Sequence, residues 1–209
     1  MYRKILPIIV IFTSFLAISS CESVEGNNLI LDENFDNNTL GWIEENTSSH
    51  YTDISDGYYR ILSRDSNTTR TSCGSLMRSY LINLPQKYTI ESSIKLINAE
   101  DDNTHFGIIL QGASLEYAIS IYPTGWTLFT EYDYNLDSIY TLSSKYVEPN
   151  YNSVLDVKFE INQNSYRLNI NDIEIGRGEL KMEPRYWYDL RLYASKNSAI
   201  AVNNLNIKK

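Results

Sequence analysis

The chain is poor in the side chains that most often carry chemistry. Among its 209 residues are two histidines, His50 and His105, and two cysteines, Cys21 and Cys73. The histidines are far apart and lack the close pairing of a zinc site. There is no Gly-x-Ser-x-Gly, no His-Glu-x-x-His and no glycine-rich phosphate loop. That removes the familiar serine hydrolases, zinc proteases and nucleotide-binding folds. Positive charge is also scarce: 18 Lys and Arg stand against 26 Asp and Glu, a net charge of −8. A chain this acidic is not expected to bind nucleic acid or anionic lipid surfaces. No internal repeat, low-complexity stretch or interdomain linker breaks the sequence.

What is present begins with an export signal. Arg3 and Lys4 precede an uncharged apolar run, Ile5 to Ala17, too short for the ~20 residues of a spanning helix. The run ends in Ile18-Ser19-Ser20-Cys21. This resembles the lipobox of bacterial lipoproteins: an aliphatic residue and two small ones before a cysteine. The resemblance implies cleavage before Cys21 and acylation of its thiol. Residues 1–20 are then a signal peptide, residues 21–28 a polar tether and residues 29–209 one domain. Loss of residues 1–20, which hold two basic side chains and no acid, takes the net charge from −8 to −10. The expected partner is the membrane, through acylated Cys21, and the expected place is the cell envelope. The acidic tether resembles the surface-export signals of some Gram-negative lipoproteins, so the outer membrane and the cell surface are the expected site. An acylated Cys21 leaves Cys73 without an intramolecular partner, and Cys73 reads as a small buried residue.

Downstream, the recurring signal is alternation with period two, the mark of a half-buried strand. In Thr89–Ile97, residues Ile90, Ile94 and Leu96 share one face. Leu155–Ile161, Tyr166–Asn171 and Leu190–Ala194 repeat the pattern. Turn residues sit between: Asp56-Gly57, Pro123-Thr-Gly125, Glu148-Pro-Asn150, Asn162-Gln-Asn164 and Asn171-Asp172. Ile200 and Val202 share one parity, Leu205 and Ile207 the other, which calls for a bulge at Asn203-Asn204. One short helical turn is expected near Glu100–Asn103. A dozen or more short strands imply an all-β, two-sheet antiparallel sandwich.

Several segments resemble the concanavalin A-like lectin/glucanase superfamily. Glu33-Asn-Phe-Asp36 with Gly41-Trp42, then Asp56-Gly57-Tyr-Tyr-Arg-Ile61, look like its opening strands. Tyr166-Arg-Leu-Asn-Ile-Asn171 followed by Ile173-Glu-Ile-Gly176 looks like its late hairpin. Ala201–Ile207 resembles its closing strand. The resemblance implies a jelly-roll sandwich and a glycan ligand. The glucanases of that group carry Glu-x-Asp-x-(x)-Glu, which sets two carboxyls ~5–5.5 Å apart on one strand. Here Glu131-Tyr-Asp133-Tyr-Asn-Leu-Asp137 has no third Glu in place, so acid–base chemistry is not expected of it. Lectin-like sandwiches often hold structural calcium, and Asp32, Asp36, Asp101 and Asp102 are the candidate ligands, against a plainer reading as solvated acidic loops.

The leading reading is a non-catalytic carbohydrate-binding module. Its candidate ligand residues are Arg60, Gln111, Tyr122 and Glu131. Over residues 106–131 the expected core phase is Phe106, Ile108, Leu110, Ile119, Ile121 and Leu128. The opposite phase, His105, Gln111, Ser120, Tyr122, Phe129 and Glu131, is expected to face a groove. Trp42 and Trp187 read as packing residues. A structural or protein-interaction lipoprotein is one alternative; a glycoside-active enzyme of the same fold is the other.

Overall fold

A computed structural model describes residues 29–64, 84–148, 154–181 and 189–209. Cys21, the tether, Cys73 and Trp187 lie outside the described residues. The described chain is all-β, in two antiparallel sheets. The larger sheet holds β1 (Leu29–Glu33), β2 (Glu45–Asn46), β3 (His50–Ser55), β4 (Tyr58–Ser63), β5 (Lys87–Asn98), β10 (Leu155–Asn162), β11 (Ser165–Ile170), β12 (Ile173–Glu179) and β14 (Ala199–Lys208). Its order is β12-β11-β10-β5-β14-β4-β3-β2, with β1 also paired to β14. The smaller sheet has the order β13-β6-β7-β8-β9. Its strands are β6 (Phe106–Gln111), β7 (Leu115–Ile121), β8 (Trp126–Asp133), β9 (Ser138–Tyr146) and β13 (Asp189–Ala194).

The alternation in the sequence becomes burial. Tyr88, Ile90, Ser92 and Ile94 on β5 point into the sandwich, as do Val157, Phe159 and Ile161 on β10. The bulge falls where the phase changes: Val202 pairs with Ile94 and Asn204 with Ser93, leaving Asn203 unpaired. Ile200, Val202, Leu205 and Ile207 are all buried as a result. The turns use the left-handed conformation that Asn, Asp and Gly tolerate. Asn171 and Asp172 have φ of 49° and 62°, and Asp56 and Gly57 have 54° and 74°. Two positive φ values in a two-residue loop match the right-handed twist of the hairpin. Residues near Glu100–Asn103 form a turn, not a helix: the amide of Thr104 donates to the carbonyl of Asp101 at 3.2 Å.

The opening Glu-Asn-Phe-Asp…Gly-Trp segment is a packed unit. Phe35, Trp42 and Tyr59 meet with ring centroids 5.1–5.7 Å apart. The buried Glu33 carboxylate accepts from the Phe35 amide at 2.8 Å and from Trp42 Nε1 at 3.0 Å. Two donors compensate the cost of taking that carboxylate out of water.

Candidate binding face on the smaller sheet

The two faces of the smaller sheet differ in kind. Its inner face carries Phe106, Ile108, Leu110, Ile119, Ile121 and Phe129 into the core. The outer face can be followed in rows from the strand register. Asp189, Gln111, Glu116 and Tyr132 form one row across β13, β6, β7 and β8. Arg191, Ile109, Ala118 and Thr130 form the next. Tyr193, Gly107, Ser120 and Leu128 form the third. At the far end the Tyr122 amide donates to the Trp126 carbonyl, and Trp126 pairs with Tyr146.

The first row is polar and closed. Glu116 is 6% exposed and Asp189 7%. Tyr134 Oη donates to Glu116 Oε2 at 2.9 Å, and Arg191 Nε donates to Asp189 Oδ2 at 2.7 Å. Asp189 Oδ1 and Gln111 Oε1 are buried acceptors with no hydrogen-bond partner among the described residues. Beyond it lies a small apolar patch of Ile109, Ala118 and Tyr193, with Tyr193 Oη bonded to Ser120 Oγ at 2.6 Å. Gly107 is required here: a Cβ would stand 2.0 Å from the Ile119 carbonyl oxygen.

The other end is aromatic. His105 and Tyr122 stack at 5.3 Å, and Tyr193 meets His105 edge-on at 5.8 Å. Trp126 and Tyr146 meet edge to face at 6.1 Å and are half exposed.

Of the four ligand residues expected from sequence, the structure puts Gln111 and Tyr122 on this outer face, at its opposite ends. It places the other two elsewhere. Arg60 belongs to β4 of the larger sheet, where it faces outward and pairs with Asp56 at 2.8 Å. Glu131 points the other way, into the sandwich, and is wholly buried. Its Oε2 accepts from Tyr117 Oη at 3.1 Å, and its Oε1 lies 2.6 Å from Lys181 Nζ. Lys181 also donates its amide to Tyr117 Oη at 3.0 Å and sets its ammonium 4.3 Å from the Tyr140 ring centroid. The hydrogen bond to the Glu131 carboxylate raises the Lys181 pKa above its ordinary value, and burial works against it.

The error lay in the phase of β8. Thr127, Phe129 and Glu131 face inward, while Trp126, Leu128, Thr130 and Tyr132 face outward. Phe129 packs on Phe159 and Tyr166 of the opposite sheet at 5.2 and 4.7 Å. Both parities of Trp-Thr-Leu-Phe-Thr-Glu are partly apolar, so alternation alone does not choose between them. Trp126 and Thr130 were missed for that reason, and Thr141 and Tyr146 because β9, Ser-Ile-Tyr-Thr-Leu-Ser-Ser-Lys-Tyr, shows no clean alternation. Trp126 was legible only as a hairpin residue after Gly125.

The calcium candidates are held within their own segments. Among the described residues no group of three or more His, Cys, Asp or Glu side chains is arranged to hold a metal ion. Asp32 pairs with Asn206 near one end of β14, whereas Asp101 lies 3.9 Å from Lys196, before its other end. The two candidate pairs are thus separate places, roughly 20 Å or more apart at ~3.3 Å per residue. Asp101 Oδ1 instead closes its own turn, accepting from the Asn103 and Thr104 amides at 2.8 and 2.9 Å. A recess of about 420 Å³ between Leu96, Asp102 and Pro123 borders that turn, and Glu100 on its wall is engaged by Asn197 Nδ2 at 2.9 Å.

No family model matches the sequence, and no curated protein matches it either. Solved structures do. The chain superposes on SCLam, a non-specific endo-β-1,3(4)-glucanase of family GH16, with a TM-score of 0.62 at 12% identity, over 87% of this chain and 90% of that one. The carbohydrate-binding module CBM66 from Bacillus subtilis gives 0.51 at 12% identity, over 81% of this chain and 96% of the module. The GH43 protein BlXynB from Bacillus licheniformis gives 0.61 at 13% identity, over 88% of this chain. The chain spans only 39% of the length of that last protein. At such identities the likeness is one of fold, a concanavalin A-like sandwich.

Proposed function

We propose that this chain is a lipoprotein of the bacterial envelope, anchored through Cys21 at the outer membrane, whose sandwich binds glycans on the outer face of its smaller sheet. One observation carries the binding half of this reading. That face combines aromatic rings with hydrogen-bonding side chains: His105 stacks on Tyr122, and the half-exposed Trp126 and Tyr146 stand beside the hydroxyls of Thr130 and Thr141. Rings cover the C–H face of a sugar while a few polar groups fix its hydroxyls, the mix expected of a small-molecule site. The fold neighbours include a carbohydrate-binding module and glycoside hydrolases, which supports the ligand class. The anchoring half rests on the Ile18-Ser19-Ser20-Cys21 sequence.

The test is affinity electrophoresis of residues 22–209 through gels holding neutral plant and host polysaccharides. Retardation by at least one is expected. Free migration through all of them contradicts the reading.

A second reading has an observation of its own. Glu116 and Asp189 flank Gln111 on one face, two strands apart. That is about 10 Å between backbones, close to the ~6.5–9.5 Å between carboxyl groups at which inverting glycosidases leave room for a water. Release of reducing sugar by the chain, abolished in Glu116→Gln and in Asp189→Asn, would favour hydrolysis over simple binding. No release from any polysaccharide that retards the chain would leave binding alone.

A further inference from the structure

The outer face is not uniformly open. On β6, β7 and β13 it is covered: Ile109, Ala118, Ser120 and Tyr193 are all buried. On β8 and β9 it is open. Trp126 is 49% exposed, Tyr146 52% and Ile139 63%. Register places Leu128 beside Ser144, Thr130 beside Thr141 and Tyr132 beside Ile139. The open surface is therefore a strip two strands wide. It runs from Trp126 to Tyr132, six residues or about 20 Å at the rise of a strand.

The strip has an order along its length. At one end Trp126 and Tyr146 meet at 6.1 Å, edge to face. At the other, Tyr132 and Tyr134 meet at 4.9 Å, also edge to face. Between the two pairs stand the hydroxyls of Ser144, Thr130 and Thr141, with Leu128 among them. Edge-to-face pairs leave one ring of each pair turned to present a face. None of the paired outward positions from Trp126 to Tyr132 carries a charge. The one lysine on this part of β9, Lys145, has the other parity and donates to the Glu174 carbonyl at 2.8 Å.

We infer that this strip is a binding site for a neutral oligosaccharide lying lengthwise along β8 and β9, stacked at both ends and hydrogen-bonded in between. This rests on the glycan-binding reading and narrows it to a ligand class and an orientation. Trp126 and Tyr146 present ring surface to the C–H face of a sugar, and at the other end the Tyr132 and Tyr134 hydroxyls are turned to the carboxylates of Asp137 and Glu116, so neither end offers anything to a carboxylate or sulfate. The acidic chain as a whole repels such groups. An aromatic pair at each end favours a chain long enough to touch both, so affinity grows with length until the strip is filled.

Titration calorimetry on residues 22–209 tests it. The probes are neutral β-linked gluco-, xylo- and manno-oligosaccharides of increasing length, with alginate and dextran sulfate as anionic comparisons. For a neutral series that binds, affinity should rise with length and then level off. Trp126→Ala and Tyr132→Phe/Tyr134→Phe bracket the two ends, and Thr130→Val removes a central hydroxyl at nearly constant shape. Trp126→Ala should weaken binding at least tenfold and Thr130→Val several-fold, with the circular dichroism unchanged. The tyrosine double variant keeps both rings and should lose less than Trp126→Ala. Binding of neutral oligosaccharides that is untouched by Trp126→Ala and Thr130→Val overturns the strip while leaving glycan binding intact. Preference for alginate or dextran sulfate overturns the ligand class. No binding by any probe, neutral or anionic, overturns both this inference and the reading beneath it. Concentration-dependent dimerisation lost in Trp126→Ala would assign the strip to a second copy of the chain, and overturns it too.

Discussion

Lys181 Nζ stands 2.6 Å from Glu131 Oε1, a carboxylate with no exposure to solvent. A half-exposed ammonium thus serves a fully buried anion, with Tyr117 Oη completing the other oxygen. Removing the cation leaves the anion in the sandwich with a single donor, the costly half of breaking a buried pair. Lys181→Met should therefore lower the urea midpoint. Lys181→Met combined with Glu131→Gln should recover part of the loss, because the neutral amide keeps a partner in Tyr117 without needing a counter-charge. A double variant no more stable than Lys181→Met would show that the pair is not coupled.

The same contact sets a pH dependence. Lys181 has its pKa raised by Glu131, and burial raises the Tyr166 pKa, partly opposed by a hydrogen bond to Ser143. A raised folded-state pKa means that the folded chain holds its proton more tightly than the unfolded one. The resulting stability is fully present below the unfolded values of about 10 and is lost as pH rises through the folded values. Urea midpoints should be flat with respect to these two groups from pH 7 to 9 and fall above pH 10. Lys181→Met should shallow that fall. An equally steep fall in the variant would remove Lys181 as a cause.

The phase of β8 can be checked by paired truncations. Phe129 lies fully buried against Phe159 and Tyr166, and Leu128 sits half-buried on the outer face. Phe129→Ala should cost about 3–5 kcal/mol, as large buried rings do, and Leu128→Ala clearly less. The reverse order in thermal or urea melts would restore the phase first read from the sequence.

That phase marks the boundary of what the sequence discloses. On β5, β10 and β11 one parity is apolar and the other polar, so the buried face was legible residue by residue. The parity change at Asn203-Asn204 even located a bulge. On β8 Trp126 and Leu128 compete with Phe129, and a charged Glu131 looks like a surface residue until Tyr117 and Lys181 are seen beside it. Arg60 failed for a different reason. Its strand lies next to β14, about 140 residues on in the chain, and no local pattern records which sheet a strand joins.

Gly107 offers a sharp test of the close approach between β6 and β7. An added methyl would stand 2.0 Å from a backbone oxygen, which no side-chain rotation relieves. Gly107→Ala should destabilise the chain by about 1–3 kcal/mol or more by overpacking. A melting temperature equal to that of the parent chain would mean the two strands separate at little cost.

Arg60 and Cys21 give two functional controls. Arg60→Ala should bind glycans within twofold of the parent, because its strand belongs to the other sheet. A larger loss would place ligand on the larger sheet. Cys21→Ser should abolish metabolic labelling by fatty acid and release the chain from the membrane fraction. Unchanged labelling and unchanged sedimentation would contradict the lipoprotein reading.

The most direct measurement is a crystal structure of residues 22–209 with the neutral oligosaccharide that binds best. The expected result is sugar density on the outer face of the smaller sheet, with a ring against Trp126 or Tyr146. Density on the larger sheet or in the recess beside Pro123, with that face bare, would contradict it.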